Sequence, residues 1–167
     1  MNRQFVNPHK EKRAFVVLDL ENQCGGSDLV PLNVGSVRNQ LALIGLQVPS
    51  QLVLAVGPRA KTLCPNLPFL FPGARLLCRS GKDGADICLC EVLTEESAAS
   101  RSQIVVIGSG DRMFTAPARQ LRENGCTIIV AAKRGSIHFS LYEVAHQVIH
   151  LDETAYLNTQ QHLMGPA

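Results

Sequence analysis

The chain has 167 residues, of which 46% are hydrophobic, 18% charged and 5% aromatic. This composition is typical of a single globular domain with an aliphatic core and excludes a disordered chain. The net charge of +2 permits an anionic partner without arguing for one. No apolar run approaches the roughly 18 residues that a membrane span requires. Residues 1–13 contain no apolar signal region. We therefore expect a cytoplasmic protein with no membrane partner.

Apolar segments alternate with helical or irregular connections from residue 14 onward. Strands are predicted at 14–20, 51–56, 74–78, 104–108, 126–131 and 148–151. Helices are predicted at 34–46, from Asp83 to about 99, at 116–123 and at 137–146. A loop is predicted at 23–33, and an irregular connection with one short helical turn before Cys64 is predicted at 58–73. This alternation predicts a three-layer α/β/α fold with a mainly parallel, Rossmann-like sheet. One domain should span 14–151, between a flexible segment 1–13 and a C-terminal tail 152–167.

Two strands are apolar on both faces, which predicts that they are central neighbours. These are 14–20 and 104–108, and acids lie at their carboxyl ends, Asp19 and Asp111. Ligands bind at this edge of open α/β sheets. Two structural explanations stay open, because Asp111 could be a turn or capping residue and Asp19 could simply be exposed at a strand end.

A third acid, Asp86, opens the helix that follows the strand at 74–78. Asp83 is the expected N-cap, and Asp86 would be the third helical residue, where a carboxylate is favoured by the helix dipole. If the two apolar strands adjoin, Asp19, Asp86 and Asp111 should crowd one cleft and favour a cation between them. Oxygen ligands suit Mg²⁺ or Mn²⁺, which can drive phosphodiester hydrolysis. The six cysteines contain no CxxC pair, so a zinc site is not expected.

Several basic residues follow strands and could surround the same cleft. They are Arg79, Lys82, Arg112, Lys133 and Arg134. Basic residues on loops are usually solvated, but they could also bind phosphates, which positions a nucleic acid without reading its sequence. Few aromatic residues are available for base stacking, and Phe114 and Phe139 could equally be core residues.

The order of these motifs resembles the NYN branch of the PIN-like nucleases. The resemblance covers about residues 14–151 and rests on Asp19-Leu20-Glu21-Asn22, on Lys82 with Asp86, and on Ser109-Gly110-Asp111. A downstream helix and strand, with Leu141, Ala145 and 148–151, also match the family pattern.

This resemblance implies a metal-dependent endoribonuclease that acts on RNA, expected to be single-stranded. It implies that Asp19, Asp86 and Asp111 hold Mg²⁺ or Mn²⁺ and that Asn22 orients water or a phosphate, which makes these four the catalytic residues. It also assigns substrate binding to Ser109 and to the five basic residues above. A homodimer is compatible with the sequence, which does not fix the oligomeric state.

The chain departs from the family pattern at Met113, where the family commonly has a second acid after Ser-Gly-Asp. The spacing from Lys82 to Asp86 is also one residue longer than the family pattern predicts. Glu91 and Asp83 are candidate substitutes for that acid. The departure leaves a second hypothesis open: a catalytically degenerate module that binds RNA or protein. A third, a small-molecule phosphohydrolase, lacks an Asp-x-Asp nucleophile motif.

Overall fold

The structure is a computed structural model that describes residues 14–26, 29, 31–43, 51–63, 65–96 and 98–151. The segments 1–13 and 152–167, predicted as flanking segments, lie outside the described residues. The six strands are β1 (Ala14–Asp19), β2 (Gln51–Val56), β3 (Arg75–Cys78), β4 (Ile104–Gly108), β5 (Thr127–Ala132) and β6 (Gln147–His150). The helices are α1 (Leu20–Cys24), α2 (Pro31–Leu43), α3 (Pro58–Leu63), α4 (Leu67–Leu70), α5 (Gly84–Glu95), α6 (Ala98–Arg101), α7 (Thr115–Glu123) and α8 (Phe139–Val144).

The strands form one sheet in the order β3-β2-β1-β4-β5-β6, and every pair is parallel. The three-layer fold and the central placement of β1 beside β4 are therefore confirmed, and β3 lies at an edge of the sheet. Strand order reverses between β1 and β4, where Leu18 pairs with Gly108. In such sheets this switch point is the crevice where ligands bind. The acids predicted at the ends of β1 and β4 stand at that crevice.

Alternate residues of the central strands face opposite helix layers. Phe15 and Val17 of β1 pack in a core with α5, α6, α7 and α8. Val16 and Leu18 pack in a second core with α1, α2, α3 and α4. Because a strand side chain points to alternate faces, a strand covered on both faces must be apolar throughout. This explains why β1 and β4 read as continuous apolar runs.

The connections at 23–33 and 58–73 contain more helix than the sequence predicted. The loop predicted at 23–33 was wrong at both ends, because α1 extends to Cys24 and α2 begins at Pro31. The Asp19 side chain caps α1 by accepting a hydrogen bond from the Asn22 amide at 3.1 Å. The connection at 58–73 contains α3 and α4, with Pro58 and Pro68 in their first turns. Proline is well suited to that position because a first-turn amide has no helical partner. The short helical turn predicted before Cys64 is confirmed as α3, whereas α4 was not predicted.

Other differences concern helix ends. The predicted helix from Asp83 divides into α5 and α6, and α8 is shorter than predicted. Thr115 is the first residue of α7, one residue before the predicted start at 116, and its hydroxyl lies 2.9 Å from that of Ser140. The end of the helix predicted at 34–46 lies outside the described residues. No helix within the described ranges is both long and apolar enough to cross a bilayer.

Candidate functional site

The centre of the site is a pair of carboxylates, Asp19 and Asp86. Asp19 ends β1 and is 4% exposed, and Asp86 lies in the first turn of α5. Their side chains share a hydrogen bond. Burial, followed by the Asp19 charge and the hydrogen bond to Asp19, raises the pKa of Asp86 to about 8. Burial also raises the pKa of Asp19, although the hydrogen bond from Asp86 works in the opposite direction. With a pKa of about 8, Asp86 is mostly protonated at neutral pH, and in that form it can donate to Asp19.

A hydrogen-bond network connects the end of β1 to the turn after β4. The Ser109 hydroxyl donates to Asp19 Oδ2 at 3.2 Å and accepts from the Asp111 amide at 3.2 Å. Asn22 Oδ1 accepts from the Gly110 amide at 3.3 Å. Ser109 is completely buried, so in this structure it positions Asp19 and the Asp111 backbone. Its predicted contact with substrate stays a prediction, as does the role of Asn22 toward water or phosphate.

Asp111 follows β4 and has two roles in the geometry. Its Oδ1 accepts a hydrogen bond from the Met113 amide at 2.8 Å, which caps the 3₁₀ turn Arg112–Phe114. Its charge also helps to raise the pKa of Asp86. Asp111 is therefore both a capping residue, as one prediction had it, and a neighbour of the Asp19–Asp86 pair.

The donor set at this pair fits a divalent cation. Asp86 Oδ1 is buried and has no hydrogen-bond partner among the described residues, which is unusual for a carboxylate oxygen. Asp19, Asp83 and Asp111 all repel the ionised form of Asp86, so a cation bound beside them would relieve this repulsion. In the part of the chain that the structure describes, however, no three His, Cys, Asp or Glu side chains are grouped as ligands for one ion. The pair is therefore the core of the candidate metal site, and Asp111 lies beside it.

Two hollows open at this site, and the pair lines one of them. The acidic hollow, of about 370 Å³, is lined by Asp19, Glu21, Asn22, Gly25, Gly26, Gly57, Arg79, Gly81, Asp83, Gly84, Ala85 and Asp86. The wide hollow, of about 700 Å³, is lined by Asn22, Lys82, Asp83, Gly110, Asp111, Arg112, Met113, Gly135, Ser136, Ile137, His138 and Phe139. Asn22 and Asp83 belong to both, so the two hollows are continuous at these residues.

The predicted basic residues divide between these hollows. Lys82 and Arg112 are exposed on the wall of the wide hollow. Arg79 lines the acidic hollow, but its guanidinium is paired with Glu91 at 2.7 Å. The Lys133 ammonium lies near Gly25 at the rim of the acidic hollow, 3.8 Å from where a Cβ would stand on that glycine. Arg134 lines neither hollow.

The structure also settles where the two candidate substitute acids point. Glu91 is exposed in its ion pair with Arg79 and lines neither hollow, so this geometry gives no support to its candidacy as a metal ligand. Asp83 lines both hollows and raises the pKa of Asp86. It stands at the N-cap position, but it makes no capping hydrogen bond and has a left-handed φ of 57°. The predicted position of Asp83 at the N-cap is therefore confirmed, but the predicted capping hydrogen bond is not formed.

Three features of the site escaped the sequence prediction. Glu21 Oε1 accepts a hydrogen bond from the Gly57 amide at 2.6 Å, which fixes α1 against the end of β2. Gly110 packs so closely on the backbone of Ser136 that a Cβ would stand 2.2 Å from the carbonyl oxygen. Phe139, left open as core or platform, is 72% exposed in the wide hollow, whereas Phe114 is completely buried. Glu21 could have been found from its place in the motif Asp19-Leu20-Glu21-Asn22. The contact at Gly110 and the exposure of Phe139 depend on contacts between distant loops.

The fold and the site define a Rossmann-like α/β domain with an acidic centre at its strand switch point. The chain belongs to the NYN domain family, of the PIN-like superfamily, because the family model matches residues 68–152. This confirms the resemblance inferred from the motifs.

Solved structures with a similar fold are distant in sequence. A protein of unknown function from Vibrio parahaemolyticus RIMD 2210633 has 14% identity and a TM-score of 0.63, over 92% of this chain and 98% of that one. The YcaC gene product of Escherichia coli, described as an octameric hydrolase of unknown specificity, has 17% identity and a TM-score of 0.51. That match covers 86% of this chain and 78% of YcaC. These likenesses show the fold alone. No curated protein sequence matches the chain.

Proposed function

We propose that this NYN domain is a metal-dependent endoribonuclease that hydrolyses phosphodiester bonds of RNA at the Asp19–Asp86 pair. The support is chemical: both residues of the pair are acidic, Asp19 is buried, Asp86 is half-buried, and Asp83 and Asp111 add negative charge beside them. The family to which the chain belongs is nuclease-like, which agrees with this chemistry. A cytoplasmic location remains part of the proposal, and the oligomeric state stays open.

The observation that carries the proposal is the unpartnered Oδ1 of Asp86 beside a second buried carboxylate. A pair that served only to stabilise the fold would have its oxygens satisfied. Burial and the neighbouring carboxylates keep the proton on Asp86 up to about pH 8, so a cation beside these carboxylates would favour its ionised form.

Asp19 and Asp86 would hold Mg²⁺ or Mn²⁺, with Asp111 supplying further negative charge beside them. Such an ion, when bound, activates water and stabilises the leaving oxygen of a phosphodiester. Asn22 and Ser109 hold Asp19 and the turn after β4 in register through their hydrogen bonds. Lys82 and Arg112 would attract the phosphate backbone into the wide hollow.

A second function is favoured by Met113, which lines the wide hollow where the family commonly has another acid. With that acid absent, the domain could bind RNA without cutting it. This module would keep the basic residues and the hollow but would not need a metal ion.

Cleavage of single-stranded RNA by the purified chain separates these functions. We expect cleavage with Mn²⁺ or Mg²⁺ that stops in EDTA and falls by at least about 100-fold in Asp19→Asn, since the pair loses a charged ligand. Glu123→Gln is the matched control, because Glu123 is an exposed carboxylate at the far end of α7. Mn²⁺ affinity by calorimetry should fall in Asp19→Asn and stay unchanged in the control. RNA binding that survives EDTA, without cleavage under any divalent ion, would instead identify a binding module.

A further inference from the structure

The wide hollow contains one feature that the acidic site does not use, the side chain of Phe139. It is the first residue of α8, and 72% of it is exposed to solvent. Exposure of a large aromatic side chain removes the hydrophobic gain of burying it, so this ring is not explained by the core. Phe114, the last residue of the turn that Asp111 caps, is by contrast completely buried.

The backbone that carries Phe139 is fixed against the acidic turn. The His138 amide donates to the Gly110 carbonyl at 2.8 Å, directly before Asp111. The His138 ring accepts from the Ser140 amide at 3.3 Å, and the Ser140 hydroxyl lies 2.9 Å from that of Thr115. A group that rests on the Phe139 ring would therefore be held at a constant position relative to the acidic pair.

The charges around the ring match a nucleotide. Lys82 and Arg112 are exposed on the walls of the same hollow and can pair with phosphates. The hollow, at about 700 Å³, falls in the range of small-molecule sites. An aromatic face beside cationic side chains is the arrangement that binds unpaired nucleotides, because bases stack on the ring while phosphates meet the charges. A paired base cannot offer its face to such a ring without leaving the helix stack.

We propose that Phe139 is the stacking platform for one unpaired base of the substrate, with the adjoining phosphates on Lys82 and Arg112. This rests on the proposed ribonuclease function and deepens it, because it restricts the substrate to single-stranded RNA near the scissile bond. Phe139 binds and positions the strand; it takes no part in the chemical step.

The test measures binding in EDTA, so that it does not depend on cleavage. The probe is a short single-stranded RNA that carries one fluorescent purine analogue, compared with the same strand in a duplex. Phe139→Ala should weaken single-strand binding about tenfold and abolish the quenching that stacking causes, with little change for the duplex. Phe139→Tyr should behave as the natural chain, and Phe139→Leu, which keeps apolar bulk without a π face, should behave as Phe139→Ala.

Phe69→Ala is the matched control, since Phe69 is 84% exposed and lines neither hollow. Equal effects of Phe69→Ala and Phe139→Ala would overturn the platform, as would full binding by Phe139→Leu or equal binding of single strand and duplex by the natural chain. Failure of the ribonuclease has a different signature: no cleavage with Mn²⁺, alongside stacking that depends on Phe139. Conversely, normal cleavage with unchanged KM in Phe139→Ala would disprove the platform and leave the nuclease intact.

Discussion

Asp86 is the residue at which the electrostatics of the site concentrate. It is surrounded by Asp19, Asp83 and Asp111, and its pKa is raised to about 8 mainly by burial. In the unfolded chain its pKa is near 3.8, so the folded state binds the proton more tightly. The folded metal-free protein is therefore favoured at low pH, and this contribution is lost as the pH rises through about 8.

Replacing Asp86 by Asn should remove that loss. An amide can still donate to Asp19, and it carries no charge for the other acids to repel. In EDTA at about pH 8 we expect Asp86→Asn to melt several degrees higher than the natural chain, a gain on the order of 1 kcal/mol once solvent screening of this half-exposed group is allowed for. Near pH 4 the two should melt together. Thermal melts over this pH range provide the check, and a parallel pH dependence in both proteins would refute the assignment.

Met113 is the residue at which the chain differs from the family pattern, and its surroundings tolerate a charge. Its side chain lies half-buried on the wall of the wide hollow and belongs to neither core. Its contacts with Asp111 and Cys90 are made by backbone atoms, which a substitution keeps.

Met113→Asp should therefore cost less than about 1 kcal/mol of stability. It should also raise Mn²⁺ affinity, because a further carboxylate joins Asp111 beside the pair. Calorimetry with Mn²⁺ and a chemical denaturation curve measure both effects. Met113→Asn, which has the same shape without the charge, is the control. A loss of several kcal/mol would mean that this side chain contributes to packing.

Gly110 shows how two loops are held together at the level of secondary-structure elements. The turn after β4 and the segment before α8 approach so closely that a Cβ on Gly110 would overlap the Ser136 carbonyl. The same contact carries the hydrogen bond from His138 to Gly110. Any side chain at residue 110 must push α8, and Phe139 with it, away from Asp111.

Gly110→Ala should thus destabilise the domain by about 2 kcal/mol, since the obstructing atoms are backbone and move only with their segment. Gly35→Ala is the matched control, because Gly35 lies within α2 and, among the described residues outside its own helix backbone, no atom lies within 4 Å of its added Cβ. That change should be neutral or stabilising by up to about 1 kcal/mol. Urea unfolding of both variants distinguishes them, and equal stabilities would contradict the close contact.

These elements also mark what the sequence can and cannot predict. The convergence of Asp19 and Asp111 was predictable, because β1 and β4 are apolar on both faces and parallel central strands end at the same edge. The direction in which Glu91 points was not predictable. Five positions along α5 place it about 140° around the helix from Asp86, and its side chain is held by the ion pair with Arg79. The exposure of Phe139 and the close packing at Gly110 depend on contacts between distant loops, for which local periodicity carries no information.

At the scale of the whole domain, the candidate ligands arrive from separate parts of the sheet. Asp19 follows β1, Asp86 follows β3 at the sheet edge, and Asp111 follows β4 on the other side of the switch point. An ion held by such residues binds the folded chain and not the unfolded one. Its binding free energy therefore adds to the stability of the entire domain.

Mn²⁺ should consequently raise the melting temperature, and it should do so in a pH-dependent way. At about 100 times its dissociation constant a ligand of the folded state adds about 2.7 kcal/mol, which corresponds to several degrees for a domain of this size. Protons compete for Asp86 below its pKa of about 8, so the same Mn²⁺ concentration should stabilise the protein less at about pH 6 than at about pH 8. Asp19→Asn should lose most of the shift and Glu123→Gln should keep it. A Mn²⁺ shift that is equal at both pH values, or equal in Asp19→Asn, would place the ion away from the buried pair.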